Sequence, residues 1–137
     1  MSELTSTIAG YPRIGRHREL KKALEAYWRG KLDEETFEQE VSQVVHAAFS
    51  AYVAHGLRGS LPDSSTLYDH VLDTTVLLGS IPERFSGKTG LDLYFSLARG
   101  DAAHLPLEMT KYFDTNYHYL VPEIGPDTTV ALTDRRI

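Results

Sequence analysis

Cysteine is absent from the 137 residues, which removes disulfides, thiolate nucleophiles and every thiolate metal site at once. A metal held by this chain would need imidazole and carboxylate ligands. The six histidines, His17, His46, His55, His70, His104 and His118, contain no i, i+4 pair with the intervening Glu of a zinc-binding helix. Long apolar runs are also missing: nothing approaches the ~18 residues of a membrane-spanning helix. The opening "MSELTSTIAG" has neither a basic leader nor a continuous apolar stretch, so the sequence predicts no secretory signal and a cytoplasmic setting. Positive charge is in deficit, with 14 Lys and Arg against 19 Asp and Glu for a net charge of -5. That balance argues against a general nucleic-acid binder, whose affinity comes from neutralising phosphates along a basic face. What is present, 42% hydrophobic and 24% charged residues, is the composition of an ordinary globular protein. The length suits a single domain over 1–137 that hides roughly two-thirds of its unfolded surface.

Along the chain, "STIAGYPRIG" reads as a short strand followed by a loop punctuated by Gly10, Pro12 and Gly15. A helix is expected from near Arg16, with Leu20, Leu24, Tyr27 and Trp28 at helical spacing and Gly30 at its end. Asp33 should cap a second helix whose apolar face runs from Phe37 through Val41, Val44, Val45, Ala48, Phe49, Tyr52 and Val53 to a stop at Gly56. "GLRGSLPDSSTLYDH" is rich in turns, with a short strand expected at Ser65 to Tyr68. "HVLDTTVLLG" predicts a helix ended by Gly79, and Pro82 prevents its continuation. "SGKTG" is a turn, "LDLYFSLARG" a short helix closing at Gly100, and "DAAHLPLE" a loop. Tyr117, Tyr119 and Val121 alternate as an extended segment does, and a last strand is expected at Thr128 to Thr133. Strands separated by helices indicate an α/β arrangement with too few strands for a closed barrel.

The charge is unevenly spread. Residues 11–22 carry Arg13, Arg16, Arg18, Lys21 and Lys22 against Glu19 alone, a local +4 that leaves -9 for the rest of the chain. Cations in a helix's first turn oppose the macrodipole, at about 0.3–1 kcal/mol each when exposed, and like charges three and four positions apart repel. Such breaches gather at functional sites, where an anion meeting the cations and the free backbone N–H groups relieves both penalties. The plainer account is a solvated helix face whose cost is tolerated. "GYPRIG" lacks the glycine spacing and trailing Lys-Ser/Thr of a phosphate loop; its glycines fit a tight turn.

Two further stretches set polar chemistry beside turn-forming or half-buried positions. In "YDH", Tyr68, Asp69 and His70 stand at a loop-to-helix junction, where Asp69 is either a helix cap or part of a site. His46, beside the apolar face of the second helix, is expected to be packed or hydrogen-bonded there. In "EMTKYFDTNYHYLVPE", Lys111, Asp114, Asn116 and His118 are interleaved with Tyr112, Phe113, Tyr117 and Tyr119. Aromatic faces beside ammonium and amide donors suit a flat heterocycle or a polycarboxylate, while amphipathic tyrosines on a half-buried strand explain the pattern equally. No nucleophile with an activating base emerges from the spacing.

The blocks "GYPRIG", "RELKKALEAYW", "YDHVLDTTVLLGSIPERF", "LARG" and "EMTKYFDTNYHYLVPE" run in order from about Gly10 to Glu123. In them the sequence resembles the N-terminal end of the cobalamin-independent methionine synthases, the 5-methyltetrahydropteroyltriglutamate–homocysteine methyltransferases. The resemblance implies an incomplete portion of a (βα)8 barrel, helix-rich with a few short strands. It implies that Arg18, Glu19, Leu20 and Lys21, together with Lys111, bind the polyanionic tail of 5-methyltetrahydropteroyltri-L-glutamate. It also implies a zinc ion and most of the homocysteine site in a C-terminal barrel, with no cofactor and no catalytic residue in this chain. On that view the chain alone is inactive, partners a C-terminal barrel, and has open sheet edges that invite homo-oligomers. A second class remains beside it: a stand-alone anion- or polyglutamate-binding module with a regulatory or interaction role.

Overall fold

The computed structural model describes residues 6–57 and 65–132. It is α/β and helix-rich. The described residues form four α-helices and a two-stranded sheet: α1 Glu19–Trp28, α2 Glu34–Ala54, α3 His70–Leu77, α4 Gly90–Arg99, β1 Met109–Lys111 and β2 His118–Leu120, with a 3-10 turn at Glu83–Phe85. The chain divides into two compact units, Met1–Leu67 and Tyr68–Ile137. No helix among the described residues is long and apolar enough to cross a membrane.

The first unit is a helical hairpin. α1 ends as its sequence dictates: Gly30, at φ 67°, gives its N–H to Tyr27 O at 2.9 Å while Lys31 gives its own to Ala26 O at 2.9 Å. That pair of bonds satisfies carbonyls the helix would otherwise leave open, and it needs the left-handed conformation glycine adopts freely. Three residues later Asp33 restarts the chain as α2 by accepting the Thr36 N–H at 2.8 Å. The two helices close over Leu20, Ala23, Leu24, Phe37 and Tyr52. Tyr27 and Phe37 stack with ring centres 4.8 Å apart, and Tyr52 packs at near right angles to Tyr11 and to Phe49. His46 is exposed rather than packed.

The second unit is built around α4, whose Leu91, Tyr94, Phe95, Leu97 and Ala98 are buried with Leu72, Phe85, Leu107 and Leu120. Asp69 caps α3 through Oδ1, which accepts the Leu72 N–H at 2.9 Å, and ties α3 to β2 through Oδ2, which accepts the Leu120 N–H at 3.3 Å. Burial pushes its carboxyl above the usual range in spite of those bonds. β1 and β2 pair antiparallel with Met109 opposite Leu120 and Lys111 opposite His118.

The strands expected at the N-terminus, at Ser65 to Tyr68 and at Thr128 to Thr133 do not form among the described residues; Thr133 lies outside them. A strand exists only when a neighbouring backbone takes its N–H and C=O groups. Tyr68 instead donates to the Tyr94 hydroxyl at 3.0 Å, and Ala131 donates to Leu78 O at 2.8 Å without a ladder among the described residues.

A fork between Arg84 and Glu123, two N–H···O bonds of 2.6 Å, pins the chain after β2 to the 3-10 turn, while Arg84 Nε donates to Leu105 O at 3.3 Å. The Arg84 bonds hold the Glu123 carboxyl below its ordinary value. A carboxyl depressed on folding adds stability that is full above its unfolded value and lost as pH falls through the folded one. Both side chains are partly solvent-exposed, so Glu123→Gln is expected to cost only about 0.5–1 kcal/mol at neutral pH. Melting temperatures taken across acid pH check this: the gap between the two proteins should close below the ordinary Glu range, and a gap unchanged by pH contradicts it.

Candidate functional site

The helix expected from Arg16 begins three residues later, because the turn after "GYPRIG" is longer than the glycines alone suggested. Gly15 sits at φ 82° and Arg18, the residue before α1, at φ 63° and ψ 38°, left-handed for both. For a non-glycine residue that conformation costs on the order of 1 kcal/mol or more and persists where surrounding bonds over-determine it. Here the Arg18 N–H reaches Gly15 O at 3.2 Å, Leu20 N–H reaches Ile14 O at 3.2 Å, and Lys22 N–H reaches Arg18 O at 3.1 Å.

The acid at the start of α1 folds back on this turn. Glu19 Oε2 accepts the His17 N–H at 2.8 Å and lies against Gly15, where an added Cβ would run into it. Bonds from the backbone N–H groups of Glu19 itself and His17, in that order, hold the carboxyl below the ordinary range. The breach of helix rules is therefore smaller than the sequence implied. Arg16 and Arg18 precede the helix, and the first position inside it is an acid, which the macrodipole favours. Only Lys21 and Lys22 oppose it, and Lys21 meets Glu25 at 3.5 Å, an acid that also meets Arg29 at 3.4 Å.

Arg16, His17, Arg18, Lys21 and Lys22 are all exposed. Leu20 is 3% exposed, so its side chain belongs to the core and anchors the turn from below. Arg13 is drawn off into structure, donating to Thr66 O at 3.0 Å. The four residues 18–21 thus divide: two exposed cations, one acid bonded to the turn and one buried leucine.

Lys111 belongs to the second unit, exposed at the end of β1 opposite His118. The loop it opens is tied by Tyr112 N–H to Tyr117 O at 2.7 Å and by Tyr117 N–H to Thr115 Oγ1 at 3.0 Å, with Phe113 left-handed at φ 52°. Phe113 and Tyr117 are 84% and 81% exposed, while Tyr112 leans its ring on Phe113 and Tyr119. An ammonium thus stands at the root of an open aromatic loop.

Other polar groups serve the frame. Asp69 is a cap and a tie, and Tyr68 is half-buried with its phenol pushed up by that burial. Sequence reasoning missed a knot in which Asp101 accepts from Ala103 N–H, His104 Nδ1 and Lys88 Nζ at 2.8–3.0 Å, bonds that drive its carboxyl far down. Only the spacing "DAAH" could have hinted at half of it. Among the described residues no three of His, Asp and Glu gather to hold a metal ion.

The chain is 47% identical over 134 residues to a 5-methyltetrahydropteroyltriglutamate–homocysteine methyltransferase of Rhodococcus jostii, covering 97% of this chain and 18% of that protein. It is 51% identical over 129 residues to the enzyme of that name from Mycobacterium tuberculosis, 93% of this chain and 17% of the relative. The chloroplastic form 3 from Arabidopsis thaliana is 44% identical over 137 residues, with 97% and 17% covered. The chain therefore spans under a fifth of the length of these relatives. Residues 5–137 match the family model described as "Cobalamin-independent synthase, N-terminal domain", and the chain belongs to that family.

Proposed function

We propose that this chain is the part of a methyltransferase that holds the folate tail, in a reaction carrying a methyl group from 5-methyltetrahydropteroyltri-L-glutamate to L-homocysteine. Arg18 and Lys21 receive tail carboxylates, in a segment whose Glu19 and Leu20 hold the turn and its anchor, and Lys111 is taken as a further folate contact. The observation that carries the reading is the exposed cation pair beside a backbone held left-handed at Arg18, in a chain whose net charge is -5. Holding the donor in place contributes to rate by positioning alone. The chain has no thiolate to offer a metal; zinc, if the complete enzyme uses it, and the homocysteine site lie in sequence outside this chain. On the same reading the described helices and hairpin begin a (βα)8 barrel that faces a C-terminal barrel in the cytoplasm, and the chain alone transfers no methyl group.

Calorimetric titration with triglutamylated 5-methyltetrahydrofolate tests the proposal. Salt-sensitive binding is expected. Lys21→Ala and Lys111→Ala should each weaken it by about fivefold, the upper range for an exposed charge pair. Absence of salt-sensitive binding in the unmodified chain, or indifference to both substitutions, would overturn it.

A further inference from the structure

We infer that Glu19 is a positioning residue: its carboxylate fixes the Gly15–Arg18 turn, and through the turn it sets where the Arg18 side chain stands, without touching the ligand itself. The inference rests on the reading of the cations as a carboxylate receptor and goes beyond it by assigning the one acid among them a role.

Three links connect the acid to the arginine. Glu19 Oε2 accepts the His17 N–H at 2.8 Å. The same oxygen fills the space beside Gly15 that any Cβ would occupy. Gly15 in turn receives the Arg18 N–H on its carbonyl at 3.2 Å, and Arg18 is left-handed at φ 63°. An anion arriving at the start of α1 would find the His17 N–H already taken by this internal carboxylate, which leaves the exposed side chains of Arg18 and Lys21 to meet it. The backbone N–H groups of Glu19 itself and His17 hold this carboxyl below its ordinary range.

An acid among receptor cations invites a simpler account, in which Glu19 is only a like charge that repels the tail. The two accounts predict opposite signs. Removing a repelling charge tightens binding; removing the tie that holds the turn weakens it.

The experiment measures binding of triglutamylated 5-methyltetrahydrofolate to the unmodified chain and to Glu19→Ala, Glu19→Gln, Gly15→Ala and the Gly15→Ala/Glu19→Ala double variant. Helix content is checked by circular dichroism, and Lys21→Ala serves as the control. Glu19→Ala is expected to weaken binding by about fivefold, a lost charge-assisted bond discounted for exposure. Glu19→Gln keeps an acceptor for the His17 N–H and should recover part of the loss. The double variant should bind no worse than the weaker single one, because both changes cut the same connection. A second readout is independent of ligand: the His17 amide resonance should move as acid titrates the chain, with a midpoint below the ordinary Glu range, and should stop moving in Glu19→Gln. Tighter or unchanged binding in Glu19→Ala, additive losses in the double variant, or a His17 amide blind to pH would each overturn the positioning role. If the Lys21→Ala control and the unmodified chain bind alike, the receptor reading itself has failed and this inference falls with it.

Discussion

Phe37→Ala is expected to cost about 3–5 kcal/mol, the range for deleting a buried aromatic side chain and leaving a cavity. Phe37 is 1% exposed, stacks on Tyr27 of α1 and is among the largest fully buried side chains in the chain. The unit it serves runs only from Met1 to Leu67. At roughly 0.05–0.15 kcal/mol per residue, a body of that size has a margin comparable to the loss itself. The single tryptophan, Trp28, ends α1 and reports on this hairpin. Urea unfolding followed by its fluorescence should show the midpoint falling by about 2 M, given a slope of roughly 1–3 kcal/mol per molar. A midpoint that stays in place would mean that α1 and α2 do not depend on this contact.

The second large effect comes from one oxygen atom. Tyr94 is fully buried, donates its hydroxyl hydrogen to Asp73 Oδ1 at 2.7 Å and accepts the Tyr68 N–H at 3.0 Å. The other Asp73 oxygen is buried with no hydrogen-bond partner among the described residues, and His70 Nδ1 lies 3.7 Å from it. Tyr94→Phe preserves the ring and strips both neighbours of a bond at once. Leaving a buried donor and a carboxylate oxygen unsatisfied should cost about 2–4 kcal/mol. Pairing it with Asp73→Leu removes the carboxylate that suffers, so the double variant should be less destabilised than the sum of the single ones. Equal additivity in thermal melts would show that the hydroxyl and the carboxylate act independently.

What could be read from the sequence was local. Gly30 and Gly79 ending helices, and Asp33 and Asp69 starting them, follow from groups within a turn of each other, and the structure places each as expected. The strands were another matter. β-capable residues at the N-terminus and at 128–132 carry a preference, but a ladder depends on a second backbone that the local pattern does not specify. The same limit hid the Arg84–Glu123 fork, whose partners are 39 residues apart, and the bond between Asp69 and β2, 51 apart. β1 escaped notice because three residues are too few to show alternation. At the candidate site the cations were visible as composition. The return of Glu19 to His17 was not, since it depends on left-handed backbone at Gly15 and Arg18 that no side-chain pattern announces.

The ladder of Lys21, Glu25 and Arg29 bears on what kind of visitor the proposed receptor would favour. A ligand with one carboxylate merely exchanges places with Glu25 at Lys21, trading one watery ion pair for another with little net gain. A ligand with several, strung on one flexible backbone, makes every exchange after the first within a tethered complex, where local concentration replaces affinity. Tail length would then be read by counting: a monoglutamate should scarcely register at micromolar concentrations, and each added residue should multiply the dwell time.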